Sequence, residues 1–220
     1  MPKRKIINIY LFGKFKGRAS QRIPSDLSYP AMTDTHDVAV LLNRLSRIAH
    51  AAQFSHGLNP AQWEALRYIA RANRYSASPT ALADYGGSTK GTASQTLIAL
   101  EAKGFVRRVR DECDRRKVTL ALTKQGVDLI AEDPLCQLSV AAGAVGKNDR
   151  ELIANGLRAM LDDLCIRQGA KNFGVCGDCC HLRKDDSDPC GGGVCGVTVD
   201  KLAIDELDRL CVNFERAELY

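Results

Sequence analysis

The stretch that decides the fold is Ser78-Pro79-Thr80-Ala81-Leu82-Ala83-Asp84-Tyr85-Gly86-Gly87-Ser88-Thr89-Lys90-Gly91-Thr92-Ala93-Ser94-Gln95-Thr96-Leu97-Ile98-Ala99-Leu100-Glu101-Ala102-Lys103-Gly104. Ser78 carries an N-cap hydroxyl and Pro79 the fixed φ of a first helical residue, so a short helix starts there. Gly86-Gly87 ends it. Ser88 reads as the cap of a second helix, from about Thr89 to Lys103, which stops at Gly104. Two short helices joined by a glycine-containing turn form a helix-turn-helix unit. The second helix has two unlike halves. Leu97, Leu100 and nearby alanines suit burial, while Thr89, Lys90, Thr92, Ser94 and Gln95 are small or hydrogen-bonding. A recognition helix needs this division, because its N-terminal residues meet base edges in the major groove.

Downstream, Phe105 to Arg110 and Lys117 to Leu122 are β-prone runs around the charged loop Asp111-Glu112-Cys113-Asp114-Arg115-Arg116, which predicts a hairpin. From Ser88 to Lys117 there are eight basic and four acidic residues, and that excess suits phosphate contact, with Arg107 among the candidates. Upstream, Val38, Leu41, Leu42, Leu45, Ile48, Ala49 and Ala52 stripe a helix over about 34–55. Asn59-Pro60 opens another helix, with Trp63, Leu66 and Ile69 inward. Thr123 caps a helix through about Glu132. Asn148-x-x-Glu151, a capping-box variant, opens a long helix to about Gln168, striped by Leu152, Ile153, Leu157, Met160, Leu161 and Leu164. The first and last of these helices suit pairing between two subunits, against the plainer reading that both close a monomeric core.

Charge is uneven along the 220 residues. Residues 1–31 hold seven Lys/Arg against one acidic residue, 32–133 hold fourteen against eleven, and 134–220 hold ten against fourteen. A basic front and an acidic back point to a polyanion-binding part and a separate module. Residues 1–32 read as a basic flexible extension, whether from an upstream start (Met32 opens the patterned segment), as a solvated tail, or as an arm on nucleic acid. No apolar run approaches a membrane span, and no secretory signal is evident, so a cytoplasmic protein is expected.

The residues Leu58-Asn59-Pro60-Ala61-Gln62-Trp63-Glu64-Ala65-Leu66, Leu82-Ala83, Ser94, Leu100-Glu101-Ala102-Lys103-Gly104-Phe105-Val106-Arg107-Arg108, Asp111-x-x-Asp114-Arg115-Arg116 and Leu122-Thr123-x-x-Gly126 occur in the order and spacing of the MarR family of winged-helix bacterial regulators, which residues 33–168 resemble. The resemblance implies a mainly α fold with a small β-wing (α+β) that dimerises through N- and C-terminal helices. It implies a homodimer that binds a palindromic operator in double-stranded DNA, usually as a repressor, with recognition helices in successive major grooves. Arg115 and Arg116 match the wing's basic pair at the minor groove, and Asp114 would orient one of them. Gly91 departs from a good helix former inside the recognition helix.

Residues 169–220 lie beyond that fold and form a small cysteine-rich module resembling a tail seen in a subset of these regulators. Six of the nine cysteines fall between Cys176 and Cys211. In a reducing compartment such density reads as a metal or iron–sulfur site before disulfides. Cys176 and Cys179 form a chelating turn. Cys211 is expected on a helix over about 200–216, because Leu207, Leu210, Cys211 and Phe214 follow i, i+3, i+4, i+7. Cys195 is the fourth candidate, with Cys190 or Cys180 in reserve, and Cys180 and His181 should point elsewhere. An iron–sulfur cluster is favoured over zinc, since only one Cys-x-x-Cys is present and Gly191-Gly192-Gly193 leaves room. The expected function is a transcription regulator whose operator binding responds to this site through a redox or small-molecule effector. The alternatives are structural zinc with an organic inducer, or a Cys176/Cys179 thiol oxidoreductase. No catalytic Ser/His/Asp set appears, so an enzyme is not expected.

Overall fold

The computed structural model describes residues 34–110, 118–184 and 192–216. The extension 1–32, the wing residues Asp111, Cys113, Asp114, Arg115 and Arg116, and Cys190 lie outside the described residues.

The described residues begin with helix α1 (Asp34–Ala52), which buries none of its residues. Helix α2 (Pro60–Arg71) starts at a complete capping box. The Asn59 side chain accepts from the Gln62 backbone N–H at 2.9 Å, and the Gln62 side chain accepts from the Asn59 N–H at 3.2 Å. Helix α3 (Pro79–Tyr85) starts at Ser78 as expected. Helix α4 (Lys90–Ala102) is capped by Thr89 rather than Ser88, one residue later than the sequence reading. Strands β1 (Val106–Arg110) and β2 (Val118–Leu122) pair antiparallel, with Arg108 opposite Leu120. Trp63, Leu66, Leu97 and Leu100 are fully buried where α2, α4 and the hairpin meet.

Helix α5 (Lys124–Ile130) is capped by Thr123, whose hydroxyl also donates to the Gly104 carbonyl at 2.6 Å. Gly126 is required by packing, since a Cβ there would sit 2.1 Å from the Phe105 carbonyl oxygen. Helix α6 (Cys136–Gly143) has no counterpart in the sequence reading. Helix α7 (Lys147–Gln168) begins after Gly146 without a side-chain cap, so the Asn148 capping box does not form, and it ends at Gly169 in the left-handed region. Like α1, it buries nothing within the chain. Among the described residues no helix is long and apolar enough to cross a membrane.

The C-terminal segment is built from short strands, not a helix. Strand β3 (Gly174–Val175) pairs antiparallel with β7 (Leu210–Cys211), while β4 (Leu182–Lys184), β5 (Gly193–Cys195) and β6 (Lys201–Leu202) form a second small sheet. The helix expected over 200–216 is therefore corrected, as Cys211 lies on β7. The physical reason is that β7 separates two cores. Leu210 is buried with Trp63 and Leu66 in the first, and Cys211 is buried with Cys176, Leu202 and Phe214 in the second. Adjacent residues facing opposite ways is a strand property. Gly174 fits this packing because a Cβ would meet the Phe214 ring at 2.5 Å.

Candidate nucleic-acid interface and thiol cluster

The turn of Gly86, Gly87 and Ser88 sets α4 against α3, with Gly87 at φ +56. Ala93, Leu97 and Leu100 anchor the inner face of α4. Lys90, Thr92 and Gln95 are exposed on its outer face, and Ser94 is half-buried beside them. Thr89 has a second duty the sequence reading did not assign. Its hydroxyl accepts from the Thr92 N–H at 3.1 Å and pairs with the Thr92 hydroxyl at 2.9 Å, so it shapes the helix start. The first turn of α4 contains no acidic residue. Its unpaired N–H groups and Lys90 therefore make a positive helix end suited to phosphate. On β1, Arg107 and Arg110 are exposed, and Arg108 reaches Glu101 of α4 at 3.3 Å. That ion pair, absent from the sequence reading, ties the hairpin to the helix. Arg115 and Arg116 lie outside the described residues.

The four cysteines chosen from the sequence gather around one small core. Cys176 and Cys211 are buried, and Cys179 and Cys195 pack against them. Cys176 and Cys211 are neighbours in this core and act on each other's ionisation. This contact pushes the Cys176 thiol well above its ordinary value, with burial adding to the effect. The same contact holds Cys211 below its ordinary value, helped by the Asn73 amide, the Asn213 backbone N–H and the Ser76 side chain, against burial. Burial opposes ionisation of Cys195, yet hydrogen bonds from Thr198 and the Val197 backbone outweigh it and lower its value. Cys179 and Cys195 are half-buried, and no three of the four sulfurs lie within 4.8 Å of one another, so the structure gathers them in one core without bringing them to ligating distance.

The surroundings of this core were not legible in advance. The loop 72–77 between α2 and α3 is embedded in it. Asn73 donates to Cys176 Sγ at 3.6 Å, and its carbonyl oxygen accepts from the Tyr75 and Ser76 backbone at 3.1 and 3.0 Å. The Asn73 N–H donates to the Leu210 carbonyl at 2.9 Å, and the Val212 N–H to Ser76 Oγ at 2.8 Å. Tyr75 donates to Asp200 in a short hydrogen bond, and Arg74 donates to the Lys201 carbonyl at 2.6 Å. Phe173 stacks edge-on against Tyr68 and Tyr85, the last residue of α3. The tail therefore grips the loop that leads into the helix-turn-helix. It also touches α7, where Arg216 and Asn172 both hold Asp162, each at 2.6 Å. Cys180, His181 and Glu215 bring their donor atoms within 4.8 Å of one another at the surface. The sequence reading sent Cys180 and His181 away from the thiols but did not identify Glu215.

Three comparisons bear on this arrangement. A model of the MarR family matches residues 56–117, which include α2, the helix-turn-helix and strand β1. The HTH-type transcriptional regulator TtmR of Methylorubrum extorquens (strain PA1) is 35% identical over 82 residues, 36% of this chain and 42% of the relative. The chain thus matches less than half of that relative's length. Among solved structures, the S. aureus MepR–DNA complex is 18% identical with a TM-score of 0.49 and covers 60% of this chain and 96% of that one. BldR from Sulfolobus solfataricus is 25% identical with a TM-score of 0.46, covering 60% and 99%.

Proposed function

Because residues 56–117 are a MarR-family helix-turn-helix domain, we propose that the protein is a homodimeric transcription regulator that binds a palindromic DNA operator and adjusts its grip through a thiolate metal site in its tail. The observation that carries the DNA-binding part is the exposed, acid-free start of α4 beside the basic strand β1. Lys90, Thr92, Ser94 and Gln95 read the major groove, Thr89 fixes the helix start, and Arg107 meets phosphate. Arg115 and Arg116 of the wing enter the flanking minor groove. Dimerisation is supported by the apolar stripes that α1 and α7 leave exposed, with Leu41 at 59% and Leu161 at 59%. Such a dimer represses where its operator overlaps a promoter.

Cys176, Cys179, Cys195 and Cys211 would hold the metal. The group we propose there is an iron–sulfur cluster, with a single ion such as zinc as the alternative. Tetrahedral zinc with Zn–S near 2.3 Å sets its sulfurs about 3.8 Å apart, whereas a cluster interposes its own irons and sulfides. The metal acts on DNA binding through the loop 72–77, which hydrogen-bonds Cys176 on one side and leads into α3 on the other. Helix placement of this kind couples distant sites by about 1–3 kcal/mol, or about 5–150-fold in affinity.

Selection from a pool of random duplexes tests the DNA-binding part. It should enrich an inverted repeat with half-site centres about one helical turn, ~10 bp, apart. Binding to it should weaken steeply with salt. A protein that retains no duplex above background, or whose binding ignores salt, would refute the proposal.

A further inference from the structure

The tail brings together three donors that the buried thiol site does not use. Cys179 and Arg216 form an antiparallel bridge, and the Cys180 N–H donates to the Glu215 carbonyl at 2.9 Å. This pairing fixes Glu215 opposite Cys180. The His181 carbonyl accepts from the Gly196 N–H at 2.8 Å, which fixes the next residue. The side chains converge at the surface, with His181 Nε2 3.2 Å and Cys180 Sγ 3.9 Å from Glu215 Oε2. All three donor atoms lie within 4.8 Å of one another.

Those distances match an ion's coordination shell. Zinc bonds of roughly 2.0–2.2 Å to nitrogen and oxygen and about 2.3 Å to sulfur, at tetrahedral angles, separate N from O by about 3.4 Å and S from O by about 3.6 Å. The charge balance also suits a cation. Arg216, the neighbour of Glu215, turns its guanidinium to Asp162 at 2.6 Å, so it does not neutralise the carboxylate. The Glu215 side chain is 70% exposed and that of His181 31%, so an ion can enter and a water can take the fourth position.

We propose that Cys180, His181 and Glu215 form a second, solvent-open site for a borderline or soft divalent cation such as Zn²⁺, separate from Cys176, Cys179, Cys195 and Cys211. One sulfur, one imidazole and one carboxylate select against Mg²⁺ and Ca²⁺, which take oxygen ligands. Three protein ligands with an open position bind reversibly, unlike a closed four-sulfur site. An ion there also stiffens the strand segment whose next residue clasps α7 through Asp162.

The test is calorimetric titration of Zn²⁺ into the full-length protein dialysed against a mild chelator, with retained metal measured by elemental analysis. One reversible equivalent per chain should bind beyond the retained metal. Cys180→Ser and His181→Ala should each lower the affinity of that equivalent by tenfold or more. Both variants should keep the retained metal and the wild-type circular dichroism. Mg²⁺ should give no binding heat at the same concentrations. Equal Zn²⁺ titrations in wild type and His181→Ala would overturn the site. Loss of the retained metal in His181→Ala would also overturn it, by placing His181 in the buried site.

Discussion

Asn73 offers the sharpest test of how the tail is joined to the helix-turn-helix. Its side chain is 4% exposed and makes three hydrogen bonds, accepting from the Tyr75 and Ser76 N–H groups and donating to Cys176 Sγ. Asn73→Ala leaves both N–H groups without that acceptor. The Ser76 N–H keeps the Asn73 backbone carbonyl as acceptor at 3.0 Å, so its loss is partial, whereas the half-buried Tyr75 N–H loses its acceptor, at the low end of about 1–3 kcal/mol. The expected total is about 1–2 kcal/mol. Urea unfolding of the chelator-treated protein measures it as a lower midpoint at unchanged slope. Asn73→Asp separates the two roles. It retains an acceptor for Tyr75 and Ser76 but exchanges the donor to sulfur for a carboxylate beside the thiols. Removing a hydrogen-bond partner of a metal ligand typically weakens metal binding 10–100-fold. Asn73→Asp should therefore keep most of the stability and lose metal affinity. An unfolding free energy for Asn73→Ala within about 0.5 kcal/mol of wild type, on the scale of an inert surface change, would refute the reasoning. So would undiminished metal affinity in Asn73→Asp.

Gly126→Ala should destabilise the fold by about 1–3 kcal/mol, since the new methyl meets the Phe105 carbonyl, and thermal unfolding would show it. Val199 sits at φ +62 while 78% exposed, so Val199→Asn should relieve left-handed strain and raise stability by about 1 kcal/mol, read from denaturant midpoints. Lys90→Ala and Arg107→Ala should each shallow the salt dependence of duplex binding by about one unit, and an unchanged slope would remove these residues from the phosphate contacts. Arg115→Ala should lose most affinity on sites with A·T-rich flanks, and equal loss on G·C-rich flanks would exclude minor-groove insertion.

The helix-turn-helix could be read from sequence because its signals are local. Ser78-Pro79, Asn59-Pro60 and Thr123 each start a helix by bonding within four residues, and Gly104 ends one. Hydrophobic spacing then placed Trp63, Leu97 and Leu100 inside. The tail resisted the same method. Leu207, Leu210, Cys211 and Phe214 mimic a helical stripe, yet Leu210 and Cys211 serve two different cores that only long-range pairing with β3 creates. Cys211 enters the ligand set because that helix would turn its thiol inward, and the strand buries it by a different route, in a core it shares with Cys176 and against which Cys179 and Cys195 pack. Glu215 escaped notice because it meets Cys180 across 35 residues of chain. The grip on Asn73 and Ser76 spans more than 100 residues and left no mark in either segment alone.

The central claim is that the tail's thiol site governs how the helix-turn-helix engages DNA. It is tested most directly by operator affinity of one preparation measured metal-loaded, metal-stripped and reloaded, with dimer content checked by sedimentation in each state. The account predicts a reversible change of about 5–150-fold on stripping, restored on reloading. Equal affinity in all three states, with the dimer intact, would contradict it.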